Sequence, residues 1–453
     1  MSESRGPKQV VICGGGVAAV EALLALRALI QVGIEVHLVA PNRHFVYQPL
    51  AVAAAFGLAE TNVFELAGLC GEQDARLHED ALESVDAHAR RVRLASGEEL
   101  VYDALVVAVG AWRVDWLEGA LHFGGAADVK AFQSALARVA SGRETRLCFV
   151  SPAGFGWTLP AYELALLSAS YFADAGAIGV ELTVATPEAD PLAVFGPAAG
   201  RMVRDLLADR GIALKTGAHA RWLEHGQLHF ETGPALAVDE VVALAALEGH
   251  AIAGLPCDVS GFLPVDECGR VEGFADVYGA GDGTTSPIKQ GGIAAQQADA
   301  VAEAIAVRLG DALTPSRQPP MLRGMLLTGI APAYLRAQLT GGGERSSEVA
   351  VSPLWWPPAK IAGRHLAPYL AGHDPLTRDE TLADLEPPDR DPARSEHLHD
   401  EARELALTFA ERDGADRHFD SALEWLEVIE RLDGVLPPGY VEKRRLWQRA
   451  AGR

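Results

Sequence analysis

Gln9-Val10-Val11-Ile12-Cys13-Gly14-Gly15-Gly16-Val17-Ala18-Ala19 is the stretch that decides the fold. Val10 to Cys13 read as a buried strand, and the Ala/Leu-rich sequence after Gly16 reads as a helix to about Leu29. Between them lies a G-x-G-x-x-A turn of the dinucleotide-binding type. Gly14 permits the tight turn, and Gly16 leaves the backbone open to a pyrophosphate. Ala19 keeps helix and strand close, while Val17 and Ala18 start the helix whose N-terminus faces the phosphates. Taken alone, such a turn also suits a plain doubly wound domain.

Two further segments change that reading. Tyr102-Asp103-Ala104-Leu105-Val106-Val107-Ala108-Val109-Gly110 is a second buried strand ending in glycine. Ala275-Asp276-Val277-Tyr278-Gly279-Ala280-Gly281-Asp282-Gly283 is a strand that ends in small residues and an acid. Asp282 has the chemistry to accept hydrogen bonds from a ribityl chain or to cap a helix. In this order the three motifs resemble the two-dinucleotide-binding-domain flavoproteins. That superfamily includes pyridine nucleotide-disulfide reductases, type II NADH dehydrogenases and sulfide:quinone oxidoreductases. The resemblance covers roughly residues 8 to 310. It implies an α/β chain with two Rossmann-like domains and a non-covalently bound FAD. The expected units are 1–119 with 246–310 for FAD, 120–245 as an NAD(P)-binding-like domain, 311–380 as a small C-terminal region, and 381–453 as a helical tail.

Several positions depart from the dinucleotide pattern. The strand Glu35 to Val39 ends in Ala40-Pro41 where a ribose-binding acid is usual, and Asn42 is the substitute hydrogen-bonding group. Sulfide:quinone oxidoreductases also tend to lack that acid. Ala40, Asn42 and Arg43 are expected on the cofactor side, and Pro49 is the expected contact to the flavin ring. Phe45 and Tyr47 suit either that segment's function or ordinary core packing.

The second unit opens at Arg146 to Val150. Its turn holds Gly156, Thr158 and Ala161 where G-x-G-x-x-G is needed, so the fingerprint is broken. The next strand, Val180 to Ala185, ends in Thr186-Pro187, with Glu188 as the substitute acid. NAD(P)H binding is therefore doubtful. Pro160-Ala161-Tyr162-Glu163 resembles the corresponding stretch of sulfide:quinone oxidoreductases, in which a catalytic Cys lies just before it. Here Trp157 and Thr158 stand there, and no partner Cys occurs in 111–125 or 269–290. The persulfide chemistry of that family is not expected.

The five cysteines, Cys13, Cys70, Cys148, Cys257 and Cys268, form no C-x-x-C or zinc spacing, so no metal site is expected. Cys13 and Cys148 fall within buried strands. The formal net charge of −22 argues against a nucleic-acid partner. No run of 18 apolar residues occurs, and no secretory leader pattern precedes the first strand. The cytoplasm is the expected compartment.

Thr284 to Ala298 follows the Asp282 motif. Ser286 is the expected N-cap and Pro287 the first residue of a helix running to Leu309. Amides at Lys289, Gln290, Gly291 and Gly292 would stabilise negative charge on a reduced flavin, with the Lys289 ammonium assisting and the glycines letting the ring approach. The resemblance puts Glu163 near the flavin's active face as a proton relay; its alternative reading is a first-turn acid answering a helix dipole. Leu354-Trp355-Trp356-Pro357-Pro358-Ala359-Lys360-Ile361 suits a quinone pocket, a dimer contact, a bilayer surface or a packed loop. Leu398, Ala402, Leu405 and Phe409, then Phe419, Leu423, Leu426 and Ile429, recur at helical spacing. This acidic hairpin either contacts another protein or packs on its own chain.

The function expected is an FAD-dependent two-electron oxidoreductase like the sulfide:quinone oxidoreductase and type II NADH dehydrogenase branch. The resemblance implies a small-molecule donor and acceptor as its partners, a quinone among the candidates, and a homodimer is common in such flavoproteins. An NAD(P)H:acceptor reductase and a non-catalytic electron-transfer subunit are the alternatives.

Overall fold

The computed structural model describes residues 6–143, 145–154, 156–310, 319–339, 347–373, 407, 410–415, 417–433 and 435–451. Lys8–Cys13 is the central strand of a five-stranded parallel sheet. Ile34–Val39 and then Ala75–His78 lie on one side of it, Ala104–Val107 and then Val277–Gly279 on the other. Both faces of the central strand are buried, so its sequence is continuously apolar rather than alternating. Val10 and Ile12 face the Val17–Leu29 and Gly291–Leu309 helices. Val11 and Cys13 face the antiparallel strands Leu82–Asp86 and Arg91–Leu94. The two helices pack through fully buried alanines, including Ala19, Ala22, Ala295 and Ala298, which let their axes approach closely.

A second parallel sheet runs Leu121–Phe123, Glu240–Leu244, Arg146–Val150, Glu181–Ala185, Ala213–Lys215. The Leu159–Asp174 and Pro197–Asp209 helices cover it. The short antiparallel pair Ala111–Val114 and Ala246–Gly249 connects the two sheets in sequence. The fold is thus α/β with two Rossmann-like sheets.

A three-stranded antiparallel sheet follows, Met321–Leu326, Ala333–Gln338 and Ser347–Ala350. The tail helices Phe419–Asp433 and Tyr440–Ala450 pack back on this region. Tyr334 and Trp355 meet Leu423, Trp425, Leu426 and Trp447 in one apolar cluster. At its polar centre buried Arg336 donates to both carboxylate oxygens of Asp413, at 2.8 and 3.0 Å. Ser421 and Trp425 also donate to Asp413. Removing one partner of such a buried pair typically costs about 3–5 kcal/mol. The spacing read at Leu398, Ala402, Leu405 and Phe409 lies outside the described residues.

One expectation needs correction. Ser286 and Pro287 do not start the helix, which runs Gly291–Leu309 with Gln290 as N-cap. The Gln290 side chain accepts from Ile293 N at 2.9 Å. Ile288 forms a parallel bridge with Gly156, and that extended backbone delays the helix. Of the readings open for the Leu354 to Ile361 segment, Trp355 fits the packed loop: it is a core residue hydrogen-bonded to Ala359 O at 2.9 Å. No described helix is long and apolar enough to cross a membrane.

Candidate functional site

A cavity of about 550 Å³ lies where the two parallel sheets meet. Gly16, Val17, Ala18, Gly110, Gly281, Asp282 and Gly291 line it from the first unit. Gly156, Trp157, Pro160, Glu163 and Glu188 line it from the second. Pro49, Arg113, Lys289, Gln290, Lys360 and Ile361 complete the wall. No cysteine is among the lining residues.

The glycines of the first turn have different tasks. Gly14 has φ +136° and a Cβ there would overlap the Ala108 carbonyl oxygen, so it serves strand packing. Gly16 has φ −96°, which any residue adopts, and a Cβ there meets nothing within 4 Å. The open space before Gly16, at the start of a helix, fits a pyrophosphate. Gly14 and buried Ala40 lie outside the cavity lining, as do exposed Asn42 and Arg43. Arg43 pairs with Glu79 at the surface, at 2.8 Å. Gly291 lines the cavity and Gly292 does not. A Cβ on Gly291 would overlap the Ile361 side chain, and one on Gly292 would lie 2.9 Å from Gln290 Oε1.

Asp282 faces the cavity beside Lys289 and Arg113. Burial pushes its carboxyl above the ordinary range, and those two cations oppose the shift. The Lys289 ammonium donates to the carbonyl oxygen of Asp282 at 3.0 Å and to that of Thr284. It also lies 3.7 Å from the centroid of Phe262. Burial lowers its pKa to about 8. Lys289 thus ties the Asp282 loop to the start of the 291–309 helix.

Glu163 is not a first-turn acid. It lies within the Leu159–Asp174 helix, fully buried, and forms an ion pair with Lys360. The same Glu163 oxygen accepts from Leu327 N at 2.8 Å, and Lys360 also donates to Met325 O at 3.0 Å. Burial raises the Glu163 pKa, while Lys360 and the Leu327 amide hold it down. Tyr47 fixes the Lys360 segment by accepting from Ile361 N at 2.9 Å. The sequence had offered only a hint of Lys360: it is one of six lysines, and it follows a Pro-Pro pair.

In the second unit Trp157, between Gly156 and the Thr158 that replaces a glycine, packs edge-on against Phe195 with centroids 5.7 Å apart. Glu188 accepts from Tyr162 Oη at 2.7 Å and from Thr186 Oγ1 at 3.1 Å. The substitute acid is therefore held at the cavity wall. All five cysteines are free: Cys13, Cys70 and Cys148 are buried, Cys268 is half-buried and Cys257 is exposed. Burial pushes the thiols of Cys13 and Cys148 up to about 12, which removes nucleophilic thiolate.

The similarity to known proteins agrees with this geometry. The family model described as pyridine nucleotide-disulphide oxidoreductase matches residues 8–298. No curated protein matches the sequence. Among solved structures, the sulfide:quinone oxidoreductase from the hyperthermophilic bacterium Aquifex aeolicus superposes with a TM-score of 0.70 at 21% identity, covering 76% of this chain and 87% of that one. A ferredoxin reductase for the CYP199A2 system from Rhodopseudomonas palustris gives 0.56 at 21% identity, covering 74% and 84%. NDH2 from Plasmodium falciparum, in complex with NADH, gives 0.51 at 14% identity, covering 62% and 65%. These likenesses establish a shared fold. By the extent of the family match, this chain belongs to the pyridine nucleotide-disulphide oxidoreductase family.

Proposed function

We propose that the protein is an FAD-dependent two-electron oxidoreductase that works without the redox cysteines of the sulfide:quinone oxidoreductases. Electrons pass from a small-molecule donor to a quinone-like or other acceptor. The observation that carries this reading is one cavity joining the open Gly16 turn, Asp282 and the buried Glu163–Lys360 pair, with no cysteine in its wall. Gly16 to Ala18, Gly110, Gly281 and Asp282 would hold the dinucleotide, and Pro49 would meet the ring. Bound FAD supplies reversible two-electron acceptance. Burial favours the protonated form of Glu163 and Lys360 favours the carboxylate, so the group is poised to take up and release a proton next to the reacting centre. Lys289 contributes positive charge through the Asp282 loop.

A second reading, an NAD(P)H:acceptor reductase, is favoured by Glu188. This acid stands just beyond the Glu181–Ala185 strand, oriented by Tyr162 and Thr186. There it suits the hydroxyls of a ribose. The broken glycine pattern and Trp157 weigh against it. Anaerobic bleaching of the flavin by sulfide, NADH and NADPH, measured side by side, decides between them. Rapid bleaching by either nicotinamide, lost in Glu188→Ala, would replace the first reading by the second. A purified protein without FAD that takes up none would sink both.

A further inference from the structure

Three cations line the cavity in a chain whose formal net charge is −22. Two of them are committed. Lys360 pairs with Glu163, and Lys289 holds the carbonyls of Asp282 and Thr284. Arg113 is not. Its guanidinium donates no hydrogen bond to a described residue and forms no ion pair with one. It acts on Asp282 through space, without a hydrogen bond.

Arg113 is also given room. It lies on the Ala111–Val114 strand, three residues after Gly110. Its side chain runs along the Gly124-Gly125 backbone. A Cβ on Gly124 would lie 3.0 Å from Arg113 Cδ, and one on Gly125 would lie 2.7 and 2.8 Å from its two terminal nitrogens. Gly125 has extended backbone that needs no glycine, and the absence of a side chain there leaves room for both Gln48 Oε1, which a Cβ would approach to 2.4 Å, and the guanidinium. Gln48, next to Pro49, borders the same spot by accepting from Ala126 N at 2.9 Å. The five N–H donors of the fork are thus presented to the cavity on the Pro49 side with no acceptor of their own.

We propose that Arg113 is the specificity-determining residue of this site, and that the small molecule exchanging electrons there is an anion whose negative oxygens or sulfur dock on its guanidinium. This rests on the flavoprotein reading above. An Arg fork binds such groups with two parallel charge-assisted hydrogen bonds, stronger than neutral ones. Arg113 is exposed at the mouth of the cavity, where an arriving anion can reach it.

Sulfite is a suitable probe, titrated by calorimetry into the purified protein while the flavin band is recorded. We expect saturable binding to the wild type. Arg113→Gln should weaken it by about tenfold or more, and Arg113→Lys should restore part of the loss. Gly125→Ala, which displaces the guanidinium without removing it, should weaken it as well. FAD content should be unchanged in all three. Equal sulfite affinity in wild type and Arg113→Gln overturns the assignment, as does an absence of sulfite binding to the wild type. Loss of FAD in Arg113→Gln also overturns it, by giving the guanidinium to the cofactor. A protein that carries no flavin refutes the flavoprotein reading instead, and the same calorimetric series on that protein still tests the anion site.

Discussion

Glu163 and Lys360 stand 197 residues apart in the chain and form a buried ion pair in the wall of the cavity. Each partner has backbone support: Leu327 N donates to Glu163, and Lys360 donates to Met325 O. Desolvation and pairing oppose each other on the carboxyl, which sits above its ordinary range. The pair joins the second parallel unit to the segment after the Trp-Trp sequence.

Removing one member should be costly and removing both cheap. Lys360→Met leaves a buried carboxylate without its cation and should destabilise the fold by about 3–5 kcal/mol. The Glu163→Gln, Lys360→Met double variant should recover most of that. Chemical denaturation of the four proteins measures the cycle. Glu163→Gln should fold, keep FAD and lose turnover with the active donor by roughly 10²-fold or more. Additive single effects, or full turnover in Glu163→Gln, would show that the pair does neither job.

The two glycines of the first turn should fail differently. Gly14→Ala overlaps the Ala108 carbonyl at positive φ and should lower the melting temperature sharply. Gly16→Val enters open space at an ordinary φ, so the protein should fold with a normal melting temperature but without flavin. Retention of FAD by Gly16→Val would move the pyrophosphate elsewhere.

Lys289 supplies charge that depends on pH. Its pKa is lowered to about 8 by burial, so it is cationic at pH 7 and loses its charge as pH rises through that value. Lys289→Met should lower the flavin midpoint potential by roughly 20 mV at pH 7, the equivalent of about 1 kcal/mol for a two-electron couple. The difference should fade as pH rises through about 8. Its contribution to folding has a definite sign. The folded pKa is depressed below the 10.5 of the free side chain, so the unfolded chain binds more protons between about 8 and 10.5, and stability rises with pH there. A potential that is the same in wild type and variant at every pH would restrict Lys289 to holding the loop.

Thiol chemistry should be dispensable. Cys257→Ser with Cys268→Ser should keep FAD and most turnover, since no cysteine lines the cavity. Loss of turnover with FAD retained, together with a disulfide in the oxidised wild type, would return the protein to thiol-based chemistry.

The sequence by itself determined the local features. The apolar run at Val10 to Cys13, the open turn at Gly16 and a helix ending at Leu309 follow from neighbours in the chain, because strand and helix periodicity and turn sterics act over a few residues. Tertiary structure decided what depends on distant parts meeting. Ile361 fills the space at Gly291, and the Gly156–Ile288 bridge moves the helix start to Gln290. The Lys360 cation reaches Glu163, and the Gly124-Gly125 backbone makes room for Arg113. Ion pairing, burial and close backbone approach are set by three-dimensional proximity, and no local pattern in the chain records the partner.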